Sequence, residues 1–102
     1  MKKIYIDIDN TICKTAACDY KNATPIHERI ERVNSWYDQG HEITMWTARG
    51  TVTGKDYKWL TKKQLEEWGC KYNYLKMGKP AFDILIDDKA FNSYLQDSWI
   101  IK

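Results

Sequence analysis

The stretch IYIDIDNTI, Ile4 to Ile12, sets an apolar run of Ile and Tyr directly against two aspartates, Asp7 and Asp9, two residues apart. The apolar half predicts a strand over residues 3 to 9, greasy enough to lie inside a sheet covered on both faces. Two carboxylates at its end, followed by Asn10 and Thr11, give that strand a polar tip. Beyond it, ICKTAACDYKNAT at 12 to 24 is polar and irregular and predicts a loop.

A helix is expected next, with Thr24 as N-cap and Pro25 at the first position, where a missing N–H costs nothing. Ile26, Ile30, Val33 and Tyr37 follow at spacings of four, three and four, one helical face, and Gly40 closes the helix. EITMWT, Glu42 to Thr47, predicts a second strand, and ARGTVTGK a loop. Residues 55 to 68 predict a second helix, in one piece or two because Thr61 and Gln64 have capping-box spacing, with Gly69 as its end. A third strand is expected at 72 to 76 and a fourth at DILID, 83 to 87, then a short helix near 89 to 95 and a strand around Trp99 to Ile101.

Alternating strands and helices predict an α/β domain with a mainly parallel sheet, and in such sheets ligands bind beyond the carboxyl ends of the strands. The polar residues at those ends are Asp7 and Asp9, Thr47 with Arg49, and Asp87 with Asp88. Three strands would therefore deliver chemistry to one rim.

The 102 residues suffice for one domain, 1 to 102, with a single core. A composition 43% hydrophobic and 29% charged, with five Trp and seven Tyr, is that of a folded chain. No apolar run approaches the ~20 residues that span a bilayer, and MKKIYIDID meets acidic residues too early for a signal peptide, so a cytoplasmic protein without membrane partners is expected. Cys13, Cys18 and Cys70 form neither a CxxC pair nor an even disulfide framework and are expected as reduced thiols. A net charge of +2, spread along the chain, lacks the basic patterning of a nucleic-acid binder but leaves room for a small anionic substrate. His27 and His41 lie away from the rim and are expected to be structural, and Trp59 and Trp68 to pack on the sheet.

One DxD is weak evidence, since aspartates often end strands and start turns. An EF-hand loop from Asp7 fails, because its sixth position is Ile12 instead of Gly and its twelfth Cys18 instead of Glu. A glycosyltransferase DxD would need more chain. The second acidic pair adds weight: four carboxylates at one edge repel unless neutralised, and all-oxygen ligands suit Mg2+.

With Asp7-Ile8-Asp9-Asn10-Thr11 as DxDxT, Thr47 ending ITMWTAR, Lys79 in GKP and the pair Asp87-Asp88 in ILIDD, the chain resembles the haloacid dehalogenase (HAD) superfamily of phosphotransferases. The resemblance spans nearly the whole chain with the four motifs in order. Its wording is most similar to the small phosphatases associated with capsule or surface-polysaccharide biosynthesis. The resemblance implies a three-layer, Rossmann-like fold with helices on both faces of the sheet. It also implies a Mg2+-dependent phosphomonoesterase, in which Asp7 attacks phosphorus to form an aspartyl phosphate and Asp9 is the general acid and base. Thr47 and Lys79 would hold the phosphoryl oxygens, with Asn10, Thr11 and the N–H groups after Asp9 around them. Asp7, Asp9 through its carbonyl, Asp87 and Asp88 would hold the metal. Arg49 suits either a phosphate clamp or a salt bridge.

Only Met77 to Phe82 separate the third and fourth strands, about 20 Å of extended chain at ~3.3 Å per residue, where a parallel crossover takes a dozen residues or more. Lys76 and Lys89 are therefore the alternatives to Lys79 as the phosphate-holding lysine. There is likewise no length for a cap domain, and residues 12 to 24 are all the flap the chain can supply. A capless site is open, and it accepts a bulky phosphate or borrows a lid from a neighbouring subunit. A small sugar or polyol phosphate is the expected substrate, a nucleotide or polynucleotide end the alternative, and a non-catalytic Mg2+ and phosphate-binding module a third.

Overall fold

A computed structural model describes residues 1–94. Three strands, β1 (Lys3–Ile6), β4 (Glu42–Trp46) and β5 (Tyr74–Lys76), form a parallel sheet in the order β1-β4-β5. Two short strands, β2 (Cys13–Lys14) and β3 (Thr24–Pro25), pair antiparallel as a separate ribbon, and the helices are α1 (His27–Asp38) and α2 (Lys58–Glu67).

The sheet grows in one direction, from β1 to β4 to β5. Two right-handed crossovers in that direction place both connecting helices on the same face. The register agrees: Ile4 lies opposite Ile43, Ile6 opposite Met45 and Met45 opposite Leu75, so these side chains share one face. They meet Ile30, Val33 and Trp36 of α1 and Leu65 of α2 in a single apolar cluster. The other face carries Tyr5, Thr44, Trp46 and Tyr74, with Tyr5 and Trp46 packed edge to face at 5.7 Å. Among the described residues the domain thus has two layers, and the expected layer of helices on the second face is not formed.

Other departures have local causes. β1 stops at Ile6 because the chain folds back: the Ile8 carbonyl accepts the N–H groups of both Thr11 (3.1 Å) and Ile12 (3.0 Å), and Asn10 adopts φ +60°. Thr24 and Pro25 join the ribbon instead of capping α1; the Ile26 N–H, the N-cap of the helix, bonds the Ile12 carbonyl at 2.8 Å. The buried stripe of α1 turns toward Trp36, leaving Tyr37 exposed. α2 is continuous. Trp68 packs against the core, whereas Trp59 is exposed beneath the Lys63 ammonium. His41 Nδ1 accepts the Lys2 N–H at 3.0 Å.

The largest departure follows β5. Residues 83 to 87 form no strand, and Ile84, Leu85 and Ile86 are 77%, 56% and 94% exposed. No helix forms over 89 to 94, and the strand expected around Trp99 lies outside the described residues. No helix among the described residues is long and apolar enough to cross a membrane.

Candidate active site

The carboxyl ends of β1 and β4 lie side by side, with Ile6 level with Met45, and the two polar segments that leave them face each other. Asp7 follows β1 at once. The turn at Asn10 brings Thr11 back over it, and the Thr11 hydroxyl donates to Asp7 Oδ2 at 2.9 Å. Asn10 itself works as a turn residue, its Oδ1 accepting the Thr15 N–H at 3.0 Å. Because the Thr11 and Ile12 N–H groups already bond the Ile8 carbonyl, the expected backbone cradle does not extend to them.

The second oxygen of Asp7 belongs to Lys79, whose Nζ lies 3.1 Å from Oδ1 across 72 positions of sequence. No crossover helix is needed to bring it there. The chain turns after β5 through Gly78, φ +80°, and the Lys79 N–H bonds the Thr47 carbonyl at 3.0 Å while its own carbonyl accepts the Thr51 hydroxyl at 2.8 Å. The ammonium stands over Phe82 (5.5 Å) and Trp46 (5.9 Å), favourable faces for a cation. Lys76 lies instead over Tyr5 and Trp46 on the open face, and Lys89 is exposed beside Asp87.

Asp9 is held in a fork by a buried arginine. Arg49 Nε donates to Asp9 Oδ2 and Arg49 Nη2 to Oδ1, both at 2.9 Å, a bidentate pair of the strong kind. The Arg49 side chain is wholly buried. Its Nη1 donates to Gln64 Oε1 (2.6 Å) and Thr61 Oγ1 (3.2 Å) on one face of α2, and the Tyr20 ring covers the guanidinium at 4.9 Å. Of the two roles open to Arg49, the structure builds the salt bridge. The Thr15 hydroxyl adds a 2.6 Å bond to Asp9 Oδ1. Thr47 is buried at the end of β4, where its hydroxyl accepts the Arg49 N–H at 3.1 Å.

Thr15 was not singled out from sequence, Tyr20 only as part of the 12 to 24 loop, and Thr61 and Gln64 only for their capping-box spacing. A signal did exist for the last two: polar residues three apart on the face of α2 that also carries Leu65 imply a buried polar partner, and capping-box spacing concealed it. The stretch 12 to 24 is no free flap either, because Gln64 Nε2 bonds the Tyr20 carbonyl at 2.6 Å and Tyr20 packs on Tyr57 at 5.0 Å. Burial, followed by Cys18 and Asp9 nearby, pushes the Tyr20 phenol up to about 12. Burial likewise raises Cys13 and pushes Cys70 up to about 12.

Asp87 and Asp88 do not join the rim. Both lie on the exposed segment, and among the described residues no three His, Cys, Asp or Glu side chains gather in a way that could hold a metal ion. One chain brings to the rim the Asp7 carboxylate, already bonded by Lys79 and Thr11, and an Asp9 carboxylate already matched by Arg49. Two anions facing two cations do not fit a Mg2+ centre, whose ligands are oxygens lacking such partners.

Beside the rim, an open cleft of about 780 Å³ is lined by Asn10, Thr15 and the cations Lys14, Arg29 and Arg32, with Glu28 the acidic exception. Its chemistry suits an anion with polar attachments.

No family model matches the chain, and no curated protein matches it. A crystal structure of a structural-genomics target from Vibrio cholerae, with no function in its name, has the same fold: TM-score 0.87 and 26% identity over 99% of this chain and 91% of that one.

Proposed function

We propose that this chain is a HAD-type phosphomonoesterase that works through an aspartyl phosphate on Asp7. The observation that carries the proposal is the meeting of Asp7 with Lys79 and Thr11 at the strand tip. The lysine lowers the repulsion between a carboxylate nucleophile and a phosphate dianion, and the hydroxyl fixes the attacking oxygen. In the first step a bond forms from an Asp7 oxygen to phosphorus and the bond from phosphorus to the ester oxygen breaks. Water then attacks phosphorus, freeing Asp7 and inorganic phosphate. Lys79 follows the transferring oxygens.

Asp9 hands a proton to the ester oxygen and recovers one from the water. Its present bonds all reach it as an acceptor, so the protonated form must reverse one of them. Thr15 suits this, since a hydroxyl donates or accepts. Arg49 keeps the carboxyl in place throughout. Mg2+ accompanies this chemistry in the family that the motifs resemble, and the described residues of one chain do not make its site.

A sugar or polyol phosphate is the leading substrate class, in line with the resemblance to polysaccharide-biosynthesis phosphatases. The cleft cations Lys14, Arg29 and Arg32 favour a second class with a further anionic group, such as a nucleotide or a polynucleotide end. The test is phosphate release from sugar phosphates, glycerol phosphates, mononucleotides, a phosphorylated oligonucleotide and p-nitrophenyl phosphate, with Mg2+ and with EDTA, beside Asp7→Asn and Asp9→Asn. Asp7→Asn should be silent on every ester. Asp9→Asn should lose far more on alkyl phosphates than on p-nitrophenyl phosphate, whose leaving group needs no proton. Full activity in Asp7→Asn sinks the covalent mechanism.

A further inference from the structure

DILID, 83 to 87, has the apolar pattern of a strand and ends in an acidic pair, yet it lies outside the sheet with Ile84, Leu85 and Ile86 exposed. Monomeric proteins seldom leave such a run of large apolar residues in water. The sheet has a matching vacancy: among the described residues β1 is paired with β4 on one side and forms the edge on the other. A strand added there, parallel to β1 with Asp87 level with Asp7, sets Ile84 beside Ile4 and Ile86 beside Ile6. Both isoleucines would then extend the existing apolar cluster. The same register carries Asp87 and Asp88 to the rim.

This chain cannot make that addition itself. Lys79 is fixed at the rim by the Thr47 carbonyl and by Asp7. From Lys79 to Asp83 the chain reaches at most ~14 Å. Asp83 would have to sit beside Lys3, which is ~13 Å down the strand and two strand spacings, ~10 Å, sideways from β4. The direct line is already ~16 Å by that geometry, and the sheet stands in its way. An antiparallel addition would fit the connection but would carry the acidic pair away from the rim. A second copy is under no such restraint, because its β1 can lie wherever the arm reaches.

We propose that residues 83–87 of one copy add as a parallel strand to the free edge of β1 in a second copy, so that each rim is completed by the other copy's Asp87 and Asp88. The exchange buries Ile84 and Ile86 against the apolar cluster and brings two further carboxylates to the rim. Its catalytic half rests on the phosphomonoesterase proposal; its structural half does not.

Three measurements on the full chain keep these halves apart. Light scattering of the native protein at about 100 μM should give twice the chain mass, and Ile84→Lys/Ile86→Lys half of that with an unchanged circular dichroism spectrum. A native monomer overturns the proposal. With Cys18→Ser as background, Lys3→Cys/Asp83→Cys treated with a short bis-maleimide should yield a covalent dimer on denaturing gels. A link confined within one chain, or none, overturns it as well. Finally, Asp7→Asn and Asp87→Asn, each inactive alone, should regain about a quarter of native turnover when unfolded together and refolded at equal amounts. That is the share of rims in a random mixture that draw both intact aspartates from different copies. Active native protein without this rescue overturns the shared rim, whereas native protein silent on every ester leaves mass and cross-link to decide the exchange and counts against the catalytic proposal alone.

Discussion

KIYID at 3 to 7 and DILID at 83 to 87 are two versions of one phrase, apolar residues ending in an aspartate. The first is paired with β4 and packs Ile6 in the core; the second leaves Ile84 and Ile86 in water. Composition does not separate them, but connection does. α1 leads out of the first phrase into β4, giving the chain room to return parallel, while six residues lead from β5 toward the second. A strand pattern states what a segment wants to bury, and the length of chain before it decides where that can happen.

The comparison can be broken most sharply at the two tips. Asp7→Asn should reduce phosphate release to the rate without protein, and more than about 1% residual turnover would remove Asp7 from the nucleophile's place. Arg49→Ala should cost about 3–5 kcal/mol in urea unfolding, because it strips the Asp9 carboxylate of its buried cation and leaves Thr61 and Gln64 without theirs. Asp87→Asn, whose carboxylate accepts the Lys89 N–H of its own exposed loop, should leave the unfolding midpoint of the dilute protein unmoved. The apolar positions come next. Ile6→Ala should cost about 2–5 kcal/mol, as truncations in packed cores do, and Ile84→Ala close to nothing in dilute protein. Equal losses would mean that the second phrase is buried within its own chain.

Smaller effects concern titration. Exposed Cys18 should react with a thiol reagent quickly and stoichiometrically at pH 8, with buried Cys13 and Cys70 following only on unfolding. The Cys70 thiol, raised from an ordinary 9.0 to about 12, keeps its proton more tightly in the folded state. Its contribution to stability is whole below pH 9.0 and falls as the pH climbs toward 12, so Cys70→Ala should flatten the alkaline decline in urea midpoint. The Lys89 N–H, then Asp88, holds Asp87 below its usual 3.8, and carbon NMR should find it titrating there.

Much of the rim was legible in sequence because its residues stand at strand ends. Asp7, Thr11 and Lys79 meet as the motif order implied, and Thr47 lies where β4 stops. The rest was hidden for physical reasons. Thr24 and Pro25 look like a helix start to any local rule, yet the ribbon gives the Ile26 N–H a partner in Ile12 and delays the helix. The grip of Thr61 and Gln64 on Arg49 joins residues 12 and 15 positions apart, beyond any spacing rule. The two-layer outcome depends on the direction in which successive strands are added, which periodicity does not encode.

The guanidinium of Arg49 lies sealed under the Tyr20 ring, while Lys14 and Arg32 stand in open water. Ions of the medium shield the second group and leave the first untouched. If the chain acts as proposed, raising ionic strength should therefore weaken the capture of an anionic substrate without loosening the Asp9 carboxylate from Arg49. Under the proposed function, the turnover number should then hold in concentrated salt while the Michaelis constant rises.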